Sequence, residues 1–131
     1  MRRKRLVPIG LALMVSSASA SEWIQFAENG DAHIGNIISY DASSLVTTGV
    51  HRKLWLRLET VKRTDNQESK TGDISLQLWD LNCHERTYVV LRLFEDNIRH
   101  RRVDLSASIS KDPEYIEPDS WTGLLLDKLC K

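Results

Sequence analysis

Lys53-Leu54-Trp55-Leu56-Arg57-Leu58-Glu59 is the stretch on which the fold turns. Leucines at 54, 56 and 58 recur with a period of two, while Lys53, Arg57 and Glu59 occupy the alternate positions, the pattern of a strand with one face in a core and the other in water. Downstream, Ile74, Leu76 and Leu78 alternate with Ser75, Gln77 and Trp79. Arg86 to Phe94 repeats the pattern, with Thr87, Val89, Leu91 and Leu93 against Arg86, Tyr88, Val90 and Arg92. Upstream, Glu22 to Ala27 and His33 to Tyr40 read as a hairpin about the turn Glu28-Asn29-Gly30-Asp31, and a second turn follows at Asp41-Ala42-Ser43-Ser44. Ile98 to Leu105 is a weaker sixth strand. Between the strands, Lys62 to Gly72 is polar throughout and reads as a solvated, mobile loop, and Asp80-Leu81-Asn82 reads as a turn.

After Pro118-Asp119-Ser120 the period changes from two to 3.6: Trp121, Leu124, Leu125 and Leu129 recur at helical spacing, with Asp119 or Ser120 placed to cap the helix. A helix with one apolar stripe must bury it, and the preceding sheet offers the surface. The expected architecture is α+β: about six antiparallel strands with a carboxyl-terminal helix packed on one face.

Residues 1–20 have the organisation of a cleavable signal peptide. Arg2, Arg3, Lys4 and Arg5 precede an apolar stretch from Leu6 to Val15, and Ala18-Ser19-Ala20 supplies the small residues a signal peptidase reads, placing cleavage before Ser21. The alternative is an uncleaved amino-terminal anchor, but about ten apolar residues fall short of the roughly 20 that span a bilayer. The expected mature domain, 21–131, is then single, and periplasmic or secreted with no stable membrane anchor. It keeps 14 of the 18 basic residues and all 18 acidic ones, a net charge of about −4. That balance argues against nucleic acid as a partner. Export also delivers the only two cysteines, Cys83 and Cys130, to a compartment where a disulfide persists. Closing their loop of about 48 residues is worth roughly 4 kcal/mol, so a bridge stapling helix to sheet is expected and a Cys83 thiol nucleophile beside His84 is not.

Chemistry-bearing motifs are sparse. His33, His51, His84 and His100 fall on different elements without metal-ligand spacing, and there is no glycine-rich phosphate loop, no Gly-x-Ser-x-Gly turn and no marked carboxylate pair. No catalytic residue, metal or cofactor is expected, and the chain reads as a non-enzyme. Two clusters stand out as candidate binding residues. Arg99, His100, Arg101 and Arg102, with Arg92 on a neighbouring strand, form a basic stripe able to meet an acidic glycan or protein face; the plainer reading is protection of a sheet edge. Trp23, Trp55 and Trp79 are the second cluster, because Trp55 and Trp79 alternate with their strands' leucines and so would lie opposite the helix. They are candidates for a binding surface, a covered second face or a homodimer contact.

In order along the chain, several short features resemble the surface-adhesin protein E family of small exported bacterial proteins. Tyr40-Asp41 with Ser43-Ser44 resembles the family's turn, and Lys53-Leu54-Trp55-Leu56 its tryptophan-centred strand. Leu78-Trp79-Asp80-Leu81-Asn82-Cys83, followed by Arg86, is similar to the segment with the first family cysteine. Ile116-Glu117-Pro118-Asp119-Ser120, with Leu124-Leu125 and Leu129-Cys130, resembles the closing helix with the second. The resemblance covers about residues 36–131. It departs in two ways: no cysteine is present for the lipid anchor of the better known adhesins, and Tyr115-Ile116 stands where a tryptophan usually precedes the proline. It implies the same sheet-plus-helix fold and adhesin-like binding of a protein partner, from host extracellular matrix or the bacterial envelope. The alternatives are a periplasmic inhibitor or immunity protein that plugs a cell-wall hydrolase, and an accessory subunit of an envelope complex.

Overall fold

The computed structural model describes residues 20–31, 33–64, 67–96 and 101–131, and the side chains of all of these except 62–72. Among the described residues the elements in chain order are β1 (Trp23–Gly30), β2 (Ile34–Asp41), β3 (Val46–Thr48), β4 (His51–Thr64), β5 (Gln67–Asn82), β6 (Thr87–Asp96), β7 (Arg102–Asp104), β8 (Glu114–Tyr115) and α1 (Trp121–Leu129). One antiparallel sheet contains every strand. Its main path is the six-strand meander β1-β2-β4-β5-β6-β7, with short β3 paired to β4 and β8 to β6. The α+β architecture expected from the periodicity is therefore the one formed.

Three expected connections are wholly or largely strand instead. Glu28-Asn29-Gly30 of the first expected turn belongs to β1, paired with Ile37, Asn36 and Gly35. Most of the polar run 62–72 is not loop: β4 extends to Thr64 and β5 begins at Gln67, and they continue as paired arms, with Val61 opposite Lys70, Lys62 opposite Ser69, Arg63 opposite Glu68 and Thr64 opposite Gln67, while residues 65 and 66 lie outside the described residues. A ladder is built from backbone amides and carbonyls, so a polar composition does not prevent it. Asp80-Leu81-Asn82 likewise belongs to β5, and the chain reverses over residues 83–86. There the Asn82 side-chain oxygen accepts from the His84 and Glu85 amides at 3.0 and 2.9 Å, and Arg86 takes the left-handed conformation at φ 53°.

The core lies between one face of the sheet and α1. Leu54, Leu56, Trp79, Leu81, Ile116, Leu125 and Leu126 form its buried centre, with Tyr40, Leu58, Tyr88, Val90, Trp121 and Leu129 packed around them. Trp79 is thus a core residue, 3% exposed, and not part of an open face. The ladder explains why: Trp79 sits opposite Leu54, and cross-strand partners share a face, so Ile74, Leu76 and Leu78 are the residues of β5 that point away from the helix.

Ser120 is the helix cap, its hydroxyl oxygen accepting from the Gly123 amide at 3.1 Å. Gly123 is required by packing, since a β-carbon there would stand 2.6 Å from the carbonyl oxygens of both Glu117 and Pro118. The buried stripe is Leu125 and Leu126 flanked by Trp121 and Leu129, whereas Leu124, expected inside, is 44% exposed. Residues 124 and 126 lie about 100° to either side of 125 on a helix, so spacing alone could not choose between them. At the other end of α1, the Arg52 side chain donates through Nε to the Leu129 carbonyl at 2.9 Å, a cation on the terminal carbonyls where the helix dipole is negative. Cys130 follows directly and is bonded to Cys83, the residue after β5, with Cα atoms 5.6 Å apart. The expected staple between helix and sheet is in place, and neither sulfur is available as a nucleophile.

Candidate functional site

On β4 the residues alternate with the buried leucines, so Trp55 and Arg57 face away from α1. The register extends that open face outward. Leu78 lies between Trp55 and Arg92, and Leu76 between Arg57 and Phe94. Phe94 in turn pairs with Asp104, and Arg102 with Asp96, on the last strand of the path. At the opposite edge Trp23 on β1 pairs with Asp41.

These residues surround a hollow of about 310 Å³ lined by Ser21, Trp23, Asp41, Trp55, Leu76, Phe94 and Arg102. Trp23 and Arg102 belong to the first and last strands of the path, which in a flat sheet would lie five inter-strand steps, about 24 Å, apart. One hollow can be lined by both only if the sheet curls towards this face. The helix covers the convex side, and the concave side stays open.

The arginines on the concave side engage aromatic rings. Arg57 stacks over Trp23, its Cζ 4.7 Å from the ring centroid, while Arg92 and Arg102 lie 5.3 and 5.8 Å from the centroid of Phe94. Trp55 and Phe94 are 6.1 Å apart and tilted by 31°. Arg102 makes a two-pronged ion pair with Asp96, at 2.8 and 3.0 Å, and Arg92 stands 3.6 Å from Asp104. The stripe and the tryptophan cluster, separate in the sequence reading, therefore merge at Trp55, Arg92 and Arg102. Trp79 is excluded from the cluster by burial. Arg101 is exposed just before β7, and Arg99 and His100 lie outside the described residues. Sequence reasoning placed Trp23 in this group but missed Arg57, Leu76 and Phe94. The signal for all three was the register of β4, β5 and β6, which no single strand carries.

Asp41 organises one rim. It is 6% exposed, and its Oδ1 accepts from the Glu22 amide at 2.8 Å, the Ser43 amide at 3.0 Å and the Ser43 hydroxyl at 2.6 Å. Burial pushes its carboxyl up, but the Ser43 hydroxyl, the two amides and the Ser21 side chain outweigh burial and hold it below the usual carboxylate value. A depressed carboxyl contributes stability above its unfolded pKa, near 4, and loses it as pH falls through the lower folded value. The midpoint of urea unfolding should accordingly fall as pH drops from about 5 to 3. Asp41→Ala, which removes these charged hydrogen bonds, should cost about 2 kcal/mol at neutral pH and flatten that acid slope. An unchanged slope in the variant would remove Asp41 as its source.

Among the described residues, no three His, Cys, Asp or Glu side chains are grouped to hold a metal ion. What the concave face offers is apolar surface, flat rings and guanidinium groups, the means of holding a partner. No protein-family model, curated protein or solved structure matches the chain.

Proposed function

We propose that this chain is an exported, non-enzymatic binding protein that holds a macromolecular partner, in the manner of an adhesin, against the concave face of its sheet. The observation that carries the reading is the wall of Trp23, Trp55, Leu76 and Phe94, interleaved with arginines, on the side that α1 leaves uncovered. Tryptophan and arginine dominate the energetics of protein interfaces, because they combine a large contact area with directional polar groups. Export is supported by the disulfide, which persists in an oxidising compartment, periplasmic or extracellular, and by the basic, apolar and small-residue order of residues 1–20. No helix of the described residues is long and apolar enough to cross a membrane. The adhesin form of the reading draws on the motif resemblance to the surface-adhesin protein E family. For an inhibitor that plugs a hydrolase, the segment expected as a mobile loop is largely the paired ends of β4 and β5, up to Thr64 and from Gln67.

The test is an affinity capture with the full chain, expressed with export and its bridge intact, against host-matrix components and envelope extract. A Trp55→Ala variant is run beside it. The expected result is a host-matrix or envelope partner retained by the native protein and reduced about tenfold or more by the variant, with the melting temperature changed by only a few degrees. Capture of a wall hydrolase would replace the adhesin reading with the inhibitor reading. Retention unaffected by Trp55→Ala would move the binding surface elsewhere.

A further inference from the structure

Of the three arginines on the concave face among the described residues, Arg92 and Arg102 already have carboxylates, Asp104 and Asp96. Arg57 does not. Half-buried beside the hollow, it makes no hydrogen bond or ion pair with any described residue, and its Nε is buried without a hydrogen-bond partner. Its interaction with the rest of the face is the stacking of its guanidinium on Trp23. The buried Nε is shielded from any incoming group, but the two terminal nitrogens are not, and a planar guanidinium held against an indole is arranged in advance to present them to a two-pronged carboxylate.

The other carboxylate at the hollow, Asp41, does not fill this role: it is occupied by Glu22 and Ser43 and lies outside ion-pairing distance of Arg57. The lining beside Arg57 is mostly rings and aliphatic carbon, with Arg102 and Asp41 already engaged and Ser21 set against Asp41. A sugar ring placed there would leave hydroxyls desolvated without partners, whereas an aromatic or long aliphatic side chain would be fully served.

Resting on the binding reading above, we propose that the partner of this face is a protein segment of acidic chemistry, which seats an apolar side chain between Trp23, Trp55 and Phe94 and places a neighbouring carboxylate on Arg57. Apolar burial supplies affinity in this arrangement. The arginine supplies discrimination, and the contact weakens as ionic strength rises.

The probe is a blocked pentapeptide, Asp-Glu-Phe-Glu-Asp, compared with its amide counterpart Asn-Gln-Phe-Gln-Asn and with a uronic-acid oligosaccharide. Binding is followed on the full oxidised chain through the indole and arginine side-chain N–H resonances. The acidic peptide is expected to shift the Trp23, Trp55 and Arg57 signals and to bind about tenfold tighter than the amide peptide at low salt. Arg57→Gln should abolish that preference while the amide peptide binds as before, and Arg57→Lys should recover only part of it, because a lysine cannot form the fork. Equal binding of the acidic and amide peptides overturns the role of Arg57. A response to the oligosaccharide alone overturns the protein segment in favour of a glycan. Absence of any response overturns the inference altogether, while the capture experiment with Trp55→Ala judges the binding face separately.

Discussion

Replacing Cys83 and Cys130 together by serine is expected to lower the stability of the domain by about 4 kcal/mol, a shift of about 15 °C in melting temperature for a chain of this size. The bridge closes a loop with a sequence separation of 47 that contains β6, β7, β8 and α1, so the unfolded chain regains the freedom of more than a third of its length when it is cut. The native state offers little to offset that loss. A helix of nine residues is too short to persist by itself in water, and α1 depends on its packing, on the Ser120 cap and on the Arg52 contact at its far end. Urea unfolding of the oxidised protein and of the double variant measures the difference. A change below about 1 kcal/mol would mean that these contacts hold the helix without the covalent link.

Trp79→Ala is the second large effect, expected at about 3–5 kcal/mol, the range for a large aromatic removed from a core. The indole is stacked on Tyr88 at 4.1 Å and 8° between planes, rests against Trp121 at 5.4 Å, and donates its N–H to the Gln77 side chain at 2.8 Å. Truncation leaves a cavity between sheet and helix, takes the stacked ring from Tyr88 and leaves Trp121 only its contact with Phe26. Trp55→Ala, on the concave side and only half-buried, should cost about 1 kcal/mol. The pair separates two tryptophans that look alike in sequence: unfolding should distinguish Trp79 and binding should distinguish Trp55. Comparable stabilities for the two variants would contradict the assignment of faces.

The unequal success of sequence reading has physical causes. β4 was legible because its leucines share one face, with Leu54 and Leu56 inside and the charged Lys53 and Arg57 outside on either side of Trp55. β5 was not, because both of its faces are apolar: Trp79 and Leu81 enter the core while Leu76 and Leu78 line the concave side, so alternation gives no orientation. The leucines were assigned to the helix side, and the tryptophan was displaced with them. The cap at Ser120 and the cysteine pair were legible because each depends on local chemistry or on there being no other choice. The ladder of 62–64 with 67–69 was hidden because hydrogen bonding by the backbone leaves no mark in composition. The merging of Trp23, Trp55, Phe94 and three arginines into one site depends on register and curl, which arise only when six strands assemble.

The curl of the sheet also constrains self-association. A twofold dimer needs a patch that complements itself, and two hollows set mouth to mouth would enclose a void lined by rings instead of a packed seam. Pairing of copies through strand edges or the helix side would leave both mouths free. On the binding reading proposed above, the ligand of the concave face would be a protrusion, narrow enough to enter between Trp23 and Phe94.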